Sequence, residues 1–476
     1  MKRTKIICTL GPASSTDEVI EGLFRAGMNV GRLNFSHGTH ESHKEMIDRF
    51  RRVRDKLGVP GAVLLDTKGP EVRLGLFEGG GCELKTGSEF VLTAVDPGDE
   101  TPGDAAGATV YYPKLAEYVK EGQLILLDDG LISLTVKSVS GKDVVCQVKE
   151  GGHISDHKGV TVKDVALEMT FLSERDKSDL LFGIENDVDY IAASFVRSRE
   201  DAEELRNFLD ENGGKKVKII AKIENPEGVR NFKKILEISD GIMVARGDMG
   251  VEIDYEKLPG IQKRIIHECY RRGKISVTAT QMLESMIENP SPTRAEITDI
   301  ANAVFDGTSA VMLSGESAAG KYPVRAVEAM SKIAVQAERD AFVSEMYKYF
   351  PLKEEKQNTT NAIAHAACTT ARDLDAKCVL AITKSGDTAL SVSKFRPEKP
   401  IVACTPDEKT FHQLSLAWGV VPVRTRMCSS FAELFDVSLT ATEESGIAKA
   451  GDIVVATGGT PLQKAGRTNL IRVETL

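Results

Sequence analysis

Short apolar runs alternate with amphipathic segments along most of this chain. Eight runs have the length and apolar character of buried parallel strands, at residues 5–10, 30–35, 62–65, 190–195, 217–223, 242–245, 275–279 and 310–313. Helical spacing fills most of the intervals, as at residues 17–26, 43–57, 174–185, 199–212 and 261–272. Strand and helix alternating eight times predict an α/β fold, a (β/α)8 TIM barrel, with functional groups at the carboxyl ends of the strands.

The alternation is interrupted between residues 70 and 168 by shorter strands and glycine-rich turns. Patterns at 89–94, 123–127, 131–136 and 143–149 predict a small all-β domain, a β-barrel, inserted after the third barrel strand. Such an insertion can act as a lid that excludes water from a reaction. We therefore expect a barrel domain from residues 1–69 and 169–343, and a lid domain from residues 70–168.

A polar stretch at residues 351–358 has the composition of a linker. Beyond it, strand patterns at 378–382, 401–404 and near 420, 453 and 470 alternate with helical patterns at 360–374, 388–395 and 411–418. Residues 354–476 are therefore predicted to form a C-terminal α/β domain with a mostly parallel sheet.

The fifth and sixth strands run into charged residues. Side chains two apart in a strand share a face, so Lys222 and Glu224 leave the fifth strand side by side. The sixth is followed by Gly247, which is expected to permit a tight turn, and by Asp248. Two nearby carboxylates suit a hard divalent ion such as Mg²⁺ or Mn²⁺, which keeps waters that a phosphate can replace. A structural ion pair of Lys222 with Glu224 is the alternative.

Polar side chains also end the second and third strands. Arg32, Asn34 and Ser36 alternate on one face, and Asp66 and Thr67 follow the third strand. Gathered together, the oxygen donors would suit a monovalent cation better than a second Mg²⁺. Taken singly, each is an ordinary turn or cap residue.

Composition narrows the class of protein. Of 476 residues, 41% are hydrophobic and 28% charged, as in a globular protein, and the net charge of −9 argues against general nucleic-acid binding. With no run that approaches a membrane span, a cytoplasmic location is expected. The eight cysteines are scattered and favour buried thiols over zinc ligands. His37, His40 and His43 favour a hydrogen-bonded helix start over a metal site.

A series of segments resembles the pyruvate kinase family and occurs in that family's order. They are T-K-I-I-C-T-L-G-P-A-S, R-L-N-F-S-H-G, L-D-T-K-G-P-E-V-R, D-D-G-L-I-S, A-K-I-E-N-P-E-G, I-M-V-A-R-G-D-M-G-V-E, A-T-Q-M-L-E-S-M, P-T-R-A-E and M-L-S-G-E-S. They span residues 4 to about 330, and the C-terminal part resembles the family more weakly.

The resemblance implies that the chain transfers phosphate from phosphoenolpyruvate to ADP in glycolysis, giving ATP and, after protonation of an enolate, pyruvate. Glu224 and Asp248 would hold the divalent metal. Lys222 would stabilise the moving phosphoryl group and the enolate, and Arg32 would clamp the phosphate. The N–H groups of Gly247 and Asp248 would receive the substrate carboxylate.

Further roles follow from the same resemblance. Thr280 occupies the place of a residue in the proton-delivery path, for which Ser314 is a second candidate. Arg73 and Lys158 would reach the nucleotide phosphates, Lys158 from the closing edge of the lid.

The resemblance also assigns a potassium site. Its ligands would be Asn34, Ser36, Asp66 and Thr67. Because family members independent of potassium resemble each other in carrying Lys where this chain has Glu71, potassium activation is predicted.

Two segments depart from the family pattern. Residues 158–164 read K-G-V-T-V-K-D, whereas the family usually continues K-G-V with N-x-P-G, so a Pro-Gly is missing from the hinge of the lid. The second is a loop that resembles the family's site for an activating sugar phosphate; it comprises Thr383, Lys384, Ser385, Gly386 and Thr388. Asp387 adds a negative charge there, for which Lys464 and Arg467 could compensate. An ordinary strand-to-helix turn is the alternative, and a sugar phosphate or AMP would be the effector.

Two other functions stay open. One is a metal-dependent, enolate-forming lyase or aldolase, which would need neither the lid nor Lys158. The other is a non-catalytic sensor of nucleotides or sugar phosphates, against which the presence of Lys222, Arg32 and Thr280 argues. The resemblance implies a homotetramer, and neither nucleic acid nor membrane partners are expected.

Overall fold

The computed structural model of the chain describes residues 1–165, 167–349, 358–460 and 467–476. Residues 351–357 of the predicted linker lie outside the described residues, as does Lys464 of the predicted effector site. Among the described helices, none is long and apolar enough to cross a membrane.

Eight parallel strands close into a barrel, in which each strand pairs with the next along the chain and the last pairs with the first. They are Lys5–Thr9, Val30–Asn34, Ala62–Asp66, Tyr190–Ala193, Lys218–Ile223, Gly241–Ala245, Ile275–Ala279 and Ala310–Leu313. The predicted (β/α)8 barrel is confirmed.

Helices surround the barrel and connect its strands. They are Asp17–Ala26, His40–Leu57, Glu174–Glu185, Arg199–Glu211, Pro226–Ile238, Arg246–Glu252, Leu258–Arg272, Arg294–Phe305, Gly315–Ala318 and Pro323–Val343, with 3-10 turns at Pro12–Ser14, Tyr255–Lys257, Glu284–Ile287 and Met346–Tyr349. The second helix begins earlier than residue 43, because Thr39 and Ser42 cap each other's N–H groups. His40 Nε2 lies 2.6 Å from Asp179 Oδ1, and His43 Nε2 lies 2.8 Å from the carbonyl of His37.

Alternate residues of the fifth strand face opposite sides, as its sequence predicts. Ile220 joins the apolar cluster inside the barrel, whereas Ile219 and Ile223 pack in the layer between the strands and the helices. This alternation carries Lys222 and Glu224 to the interior at the carboxyl end.

The lid follows the third barrel strand and is built from short strands. Six of them form one sheet in the order Val160–Val162, Leu124–Leu127, Ile132–Ser140, Asp143–Glu150, Glu89–Ala94 and Gly107–Val110; Gly152–Ser155 pairs with Gly81–Leu84, and short helical turns occur at Glu78–Gly80 and Leu115–Tyr118. The inserted, essentially all-β domain is confirmed. Residues 72–75 bridge both edge strands of its large sheet, since the Val160 N–H donates to the carbonyl of Val72 and the Gly75 N–H donates to that of Thr109, each at 2.8 Å, which supports the predicted β-barrel. The four strands missed in the sequence have only three or four residues each, too few to show alternation.

The C-terminal domain has a five-stranded sheet. Its order is Val420–Arg424, Ile401–Thr405, Cys378–Ile382, Ile453–Gly458 and Leu470–Thr475, of which only the last is antiparallel, so the predicted mostly parallel sheet is confirmed. Its helices are Thr359–Asp373, Asp387–Ser393, Glu408–Gln413 and Phe431–Glu444, with a 3-10 turn at Leu414–Leu416. The predicted helix at 411–418 is therefore shorter and starts earlier, and the helix Phe431–Glu444 was not predicted.

The C-terminal domain closes the amino end of the barrel. Leu416 is completely buried and belongs to the cluster inside the barrel. The Tyr190 hydroxyl donates to the carbonyl of Gln413 at 2.7 Å, and Lys5 Nζ donates to that of Val420 at 2.7 Å. The candidate site lies at the opposite end of the barrel, where the strands have their carboxyl ends. All eight cysteines are free thiols; five are buried, as predicted, whereas Cys82, Cys368 and Cys428 are only partly buried.

Candidate active site

Three strand ends converge on the ammonium group of Lys222. Its Nζ lies 3.1 Å from Asp66 Oδ1, 2.7 Å from Ser194 Oγ and 3.0 Å from Glu224 Oε1. Lys222 is only 8% exposed and both carboxylates are 1% exposed. The structure thus brings together the predicted Lys222–Glu224 pair and adds Asp66, from the third strand.

Arg32 approaches the same carboxylate from the second strand. Its Nε donates to Asp66 Oδ2 at 2.7 Å, and its Nη1 donates to Thr9 Oγ1 at 2.7 Å. Burial works to raise the pKa of Asp66, but Arg32 and Lys222 outweigh it and hold that pKa below its ordinary value. Asp66 is therefore a buried anion that positions two cations side by side.

The charge states of Lys222 and Glu224 follow from their neighbours. Burial acts to lower the pKa of Lys222, but Asp66 and Glu224 together raise it above the ordinary value, so the ammonium stays charged. Burial raises the pKa of Glu224 to about 8, Lys222 opposes this, and Asp248 adds to it. Glu224 and Asp248 follow the ends of neighbouring strands, since Ile223 and Val244 are register partners.

One oxygen of Glu224 is left without a hydrogen bond. The Oε2 atom accepts from the N–H of Phe195 at 2.5 Å, whereas buried Oε1 has no hydrogen-bond partner among the described residues. Its 3.0 Å approach to Lys222 satisfies an ion-pair distance but not hydrogen-bond alignment. A buried carboxylate oxygen of this kind, beside Asp248, is suited to a cation.

Glu224 and Asp248 suit a magnesium ion, which needs only one or two protein carboxylates, better than a metal ion whose ligands all come from the protein. Within the described ranges, no three His, Cys, Asp or Glu side chains are grouped so as to hold a metal. Mg²⁺ is commonly bound by one or two carboxylates, with waters and phosphate oxygens completing its shell. Glu224 and Asp248 supply that arrangement.

The predicted potassium ligands lie at adjacent strand ends. Asn34 and Asp66 are register partners between the second and third strands, and the Ser36 N–H donates to Asn34 Oδ1 at 3.2 Å. Thr67 Oγ1 accepts from the Ser194 N–H at 3.2 Å. Because Arg32 and Lys222 already neutralise much of the Asp66 charge, these oxygens suit a monovalent ion.

Gly247 and Thr280 contact each other directly. Gly247 lies in the first turn of the helix Arg246–Glu252, which follows the strand Gly241–Ala245 directly, and the glycine makes this sharp strand-to-helix turn without a left-handed φ. Left-handed residues at the neighbouring strand ends include Thr280, with φ of +66°, Gln281, with φ of +52°, and Phe195, with φ of +56°. The Gly247 N–H donates to Thr280 Oγ1 at 2.8 Å, which ties the sixth strand end to the seventh.

A buried glutamate connects Ser314 with the loop after the seventh strand. Glu316 is 1% exposed; its Oε2 accepts from the Ser314 N–H at 2.7 Å and its Oε1 from the Leu283 N–H at 3.0 Å. Both candidates for proton delivery, Thr280 and Ser314, therefore belong to one tied set of loops.

Both predicted nucleotide-binding cations are paired within the lid region. Arg73 Nη2 lies 2.6 Å from Glu71 Oε2, and its Nη1 donates to the carbonyl of His157 at 2.8 Å. Lys158 Nζ lies 2.8 Å from Asp128 Oδ1. These ion pairs would have to exchange for phosphate contacts on nucleotide binding.

The lid also approaches Asp248, a predicted metal ligand, since Asp129 of the lid and Asp248 line the same cleft. Burial raises the pKa of Asp129 on the lid, and Asp248 on the barrel adds to this effect. At the returning hinge, where the family's Pro-Gly is missing, Lys163 Nζ lies 2.8 Å from Asp254 Oδ1 on the barrel. An ion pair therefore joins lid and barrel at that hinge.

Two residues at the end of the fourth strand were missed in the sequence. The Ser194 hydroxyl donates to the carbonyl of Thr67 at 2.6 Å while it accepts from Lys222, and Phe195 supplies the N–H that binds Glu224. The signal was a serine directly after the apolar run Tyr190–Ala193, at the same kind of strand end as the other polar groups.

The predicted effector loop is largely satisfied by its own groups. The Gly386 N–H donates to Thr383 Oγ1 at 2.9 Å, and the Ser385 hydroxyl donates to Asp387 Oδ2 at 2.8 Å. Thr388 Oγ1 lies 3.0 Å from Thr468 Oγ1, so residue 467 runs beside the loop, while Lys384 is exposed. These contacts are those of a strand-to-helix turn in which the Asp387 carboxylate accepts a hydrogen bond from the Ser385 hydroxyl.

These features define a class of protein: a lidded (β/α)8 barrel enzyme that gathers two carboxylates, an arginine and a charged lysine where a metal-bound anionic substrate would react. A family model described as pyruvate kinase, barrel domain, matches residues 1–327, and one described as pyruvate kinase, alpha/beta domain, matches residues 361–474. The chain belongs to the pyruvate kinase family.

Individual relatives are similar along the whole chain. The pyruvate kinases of Clostridium acetobutylicum and Clostridium perfringens are 47% and 46% identical to it over 100% of its length, which covers 99% and 100% of theirs. The pyruvate kinase of Geobacillus stearothermophilus is 46% identical over 100% of the chain, which covers 80% of that relative.

Proposed function

We propose that the charged cluster at the carboxyl ends of the barrel strands is where this phosphotransferase moves phosphate from phosphoenolpyruvate to ADP, giving ATP and pyruvate in glycolysis. The observation that carries the proposal is Lys222, a buried lysine that two carboxylates hold in its charged form. Phosphoryl transfer depends on such positioned charge more than on covalent chemistry by the protein.

Glu224 and Asp248 are the residues that we propose hold Mg²⁺ or Mn²⁺. Two observations support this assignment: the buried Oε1 of Glu224 has an ion pair with Lys222 but no aligned hydrogen bond, and Glu224 and Asp248 follow neighbouring strand ends. A bound divalent ion would supply positive charge for the phosphate and the developing enolate.

Lys222 and Arg32 provide the protein's own positive charge. Asp66 holds both side chains and so fixes where their charges lie. Arg32 clamps the phosphate of the substrate, and Lys222 stabilises the phosphoryl group in transfer and the enolate oxygen that it leaves. Because the ammonium keeps its proton through this step, its role is electrostatic.

The substrate carboxylate is received at the start of the helix Arg246–Glu252. The N–H groups of Gly247 and Asp248 lie in its first turn, where helix N–H groups lack helical partners. Since the Gly247 N–H donates to Thr280 Oγ1, the carboxylate would share or replace this contact. Thr280 then lies on the path by which water protonates the enolate, with Ser314 as a second candidate.

The lid completes the site by bringing cations to the nucleotide. Arg73 and Lys158 exchange Glu71 and Asp128 for the phosphates of ADP when the lid closes. Closure excludes water, which would otherwise compete for the phosphoryl group.

Potassium is the proposed second cofactor. Asn34, Ser36, Asp66 and Thr67 supply its oxygen ligands, and Glu71 in place of Lys supports dependence on it. We further propose that the protein is a homotetramer in the cytoplasm. Its proposed domains are the barrel at residues 1–69 and 169–343, the lid at 70–168 and the C-terminal domain at 354–476. An effector, either a sugar phosphate or AMP, is proposed for the loop Thr383–Thr388 with Arg467.

The proposal is tested by pyruvate formation from phosphoenolpyruvate and ADP with Mg²⁺, in potassium or in sodium. Lys222→Met should lower kcat about 1000-fold, because a buried charge that stabilises the transition state is lost. Lys218→Met is the matched control, since Lys218 begins the same strand and pairs with Asp240 at 3.0 Å on the opposite end of the barrel. Its kcat should stay near the wild-type value.

The outcomes separate the alternatives. Wild-type kcat in Lys222→Met would contradict the assignment of Lys222, and full activity in sodium would contradict the potassium site. Carbon–carbon cleavage of a 2-oxo acid to pyruvate, without ADP or phosphoenolpyruvate, would favour a lyase or aldolase. Binding of a sugar phosphate or AMP without any turnover would favour a sensor.

A further inference from the structure

Arg246 is a charged residue at the site to which no role has yet been given. It directly follows the sixth strand, and its side chain is 15% exposed. Its Nε donates to the carbonyl of Ala279 at 3.1 Å, and its Nη2 donates to the carbonyl of Thr280. One guanidinium thus binds two consecutive carbonyls at the end of the seventh strand.

A carboxylate on a neighbouring helix fixes the guanidinium itself. Arg246 Nη1 donates to both oxygens of Asp299, at 2.8 and 2.7 Å, and Asp299 belongs to the helix Arg294–Phe305. The planar fork of arginine allows one side chain to hold this carboxylate and both carbonyls at once, which lysine cannot do.

The backbone that Arg246 holds is in an unfavourable conformation. Thr280 and Gln281 both have positive φ, at +66° and +52°. A β-branched residue such as threonine rarely adopts the left-handed region, and such residues persist only where the surroundings hold them. Two consecutive non-glycine residues of this kind need an external restraint.

The restrained conformation sets the direction of the Thr280 hydroxyl. In it, Thr280 Oγ1 accepts from the Gly247 N–H at 2.8 Å and donates to the carbonyl of Ala279 at 2.6 Å. The hydroxyl is thereby placed beside Gly247 and Asp248, where the substrate carboxylate is proposed to bind. Glu316 accepts a hydrogen bond from the N–H of Leu283 in the next part of this loop, whereas Arg246 binds the carbonyls of Ala279 and Thr280.

We propose that Arg246, anchored by Asp299, is a positioning residue that keeps Thr280 in its left-handed conformation and so aims the Thr280 hydroxyl at the enolate intermediate. Arg246 acts through Thr280 and does not touch the substrate. The inference rests on the role of Thr280 in the proposed function, and it makes protonation of the enolate the step that Arg246 serves.

Exchange of pyruvate methyl protons with deuterium from the solvent measures this step alone, because it reverses protonation of the enolate without net phosphoryl transfer. The full-length chain would be followed by proton NMR with pyruvate, Mg²⁺, K⁺ and ATP. The set of variants is Arg246→Met, Arg246→Lys, Thr280→Ala and the double variant Arg246→Met with Thr280→Ala.

Arg206 supplies a matched control. Its guanidinium also binds two carbonyls, those of Val217 and Gly214 at 2.8 and 2.9 Å, and pairs with Asp210 at 2.7 Å, but at the amino end of the barrel. Arg206→Met removes the same set of interactions away from the site. Thermal unfolding of each variant shows which ones are folded at the assay temperature.

We expect Arg246→Met to slow exchange at least tenfold and Arg246→Lys to slow it less, while Arg206→Met stays within twofold of wild type. In the Thr280→Ala background, Arg246→Met should change exchange by less than twofold, because there is no hydroxyl left to aim. An equal loss in both backgrounds, or no loss in either, would overturn the inference.

Two further results separate this inference from the proposed role of Thr280. If Thr280→Ala exchanges protons as fast as wild type, the proposed role of Thr280 is wrong. If Thr280→Ala is slow and Arg246→Met is not, only the positioning inference is wrong. A crystal structure of Arg246→Met tests the geometry directly: Thr280 should leave the left-handed region, and its retention there would overturn the inference whatever the rates.

Discussion

The two ends of the barrel each contain a buried lysine, and the two lysines lie in opposite electrostatic settings. At the carboxyl end, Asp66 and Glu224 hold the pKa of Lys222 above its ordinary value against the effect of burial. At the amino end, Lys5 donates to the carbonyl of Val420, and burial lowers its pKa to about 8. Glu338 opposes this lowering but does not overcome it, so the same side chain in the same barrel is a dependable cation only where two carboxylates lie against it.

Two buried glutamates repeat the contrast. Glu338, at the amino end, accepts hydrogen bonds from the N–H groups of Arg3 and Thr4. Glu224, at the carboxyl end, keeps one oxygen without a hydrogen bond in the described structure. A satisfied acid stabilises the fold, whereas an acid with an unmet oxygen is prepared to bind a cation.

The largest expected effect comes from exchanging the two glutamates for their amides. Glu224→Gln should lower kcat/KM about 100- to 1000-fold, because the proposed metal loses a charged ligand. Glu338→Gln should leave kcat within about twofold while destabilising the fold by about 1–3 kcal/mol. Steady-state kinetics at saturating Mg²⁺ and urea unfolding measure the two quantities. Equal losses of activity in both variants would remove the contrast between the ends.

The apolar closure of the amino end gives the next effect. Leu416→Ala should lower the free energy of unfolding by about 2–4 kcal/mol, since a fully buried leucine inside the barrel leaves a cavity. Leu374→Ala, on a leucine of the same domain that is 43% exposed, should cost less than about 0.5 kcal/mol. Urea unfolding measures both. Similar costs would mean that Leu416 does not close the barrel.

Titration of Lys5 gives a smaller effect. The unfolded chain binds this proton as the pH falls below 10.5, whereas the folded chain binds it only near pH 8. Stability should therefore fall as the pH drops from about 10.5 to about 8, by up to about 3 kcal/mol from this group. The change should be absent in Lys5→Met. If the free energy of unfolding changes with pH by the same amount in wild type and in Lys5→Met, the lowered pKa of Lys5 is contradicted.

Binding of Mg²⁺ should depend on pH through Glu224. Because burial raises the pKa of Glu224, a proton competes with the ion for this carboxylate as the pH falls. The apparent affinity for Mg²⁺ should then fall about tenfold per pH unit below about 8. Calorimetric titration with Mg²⁺ between about pH 6 and about pH 9, a range that spans the pKa of Glu224, tests this dependence. The slope should disappear in Glu224→Gln, and a flat profile in wild type would separate Glu224 from metal binding.

Much of the fold was readable before the structure because its signals are local. The eight barrel strands and most of their helices follow from periodicity, and the alternation in the fifth strand places Lys222 and Glu224 on the interior face. The lid strands of three or four residues were not readable, because they are shorter than the pattern that would reveal them. The helix Phe431–Glu444 was also missed.

The site shows the same division. The residues that end the strands were predicted from the sequence, but Ser194 and Phe195 were not, since a serine and a backbone N–H at a strand end carry no distinctive pattern. The restraint of Thr280 by Arg246 was also hidden, because a left-handed φ at a threonine contradicts local preference.

The sequence by itself determined the barrel, the inserted lid, the parallel C-terminal sheet and the residues that end each strand, because these depend on spacing between near neighbours. Only the tertiary structure decided which charges meet. Asp66 and Lys222 are 156 residues apart, and Leu416 reaches the barrel interior from another domain. Such contacts depend on the closure of the barrel and the docking of domains, and they determine that Lys222 stays charged while Lys5 has a lowered pKa.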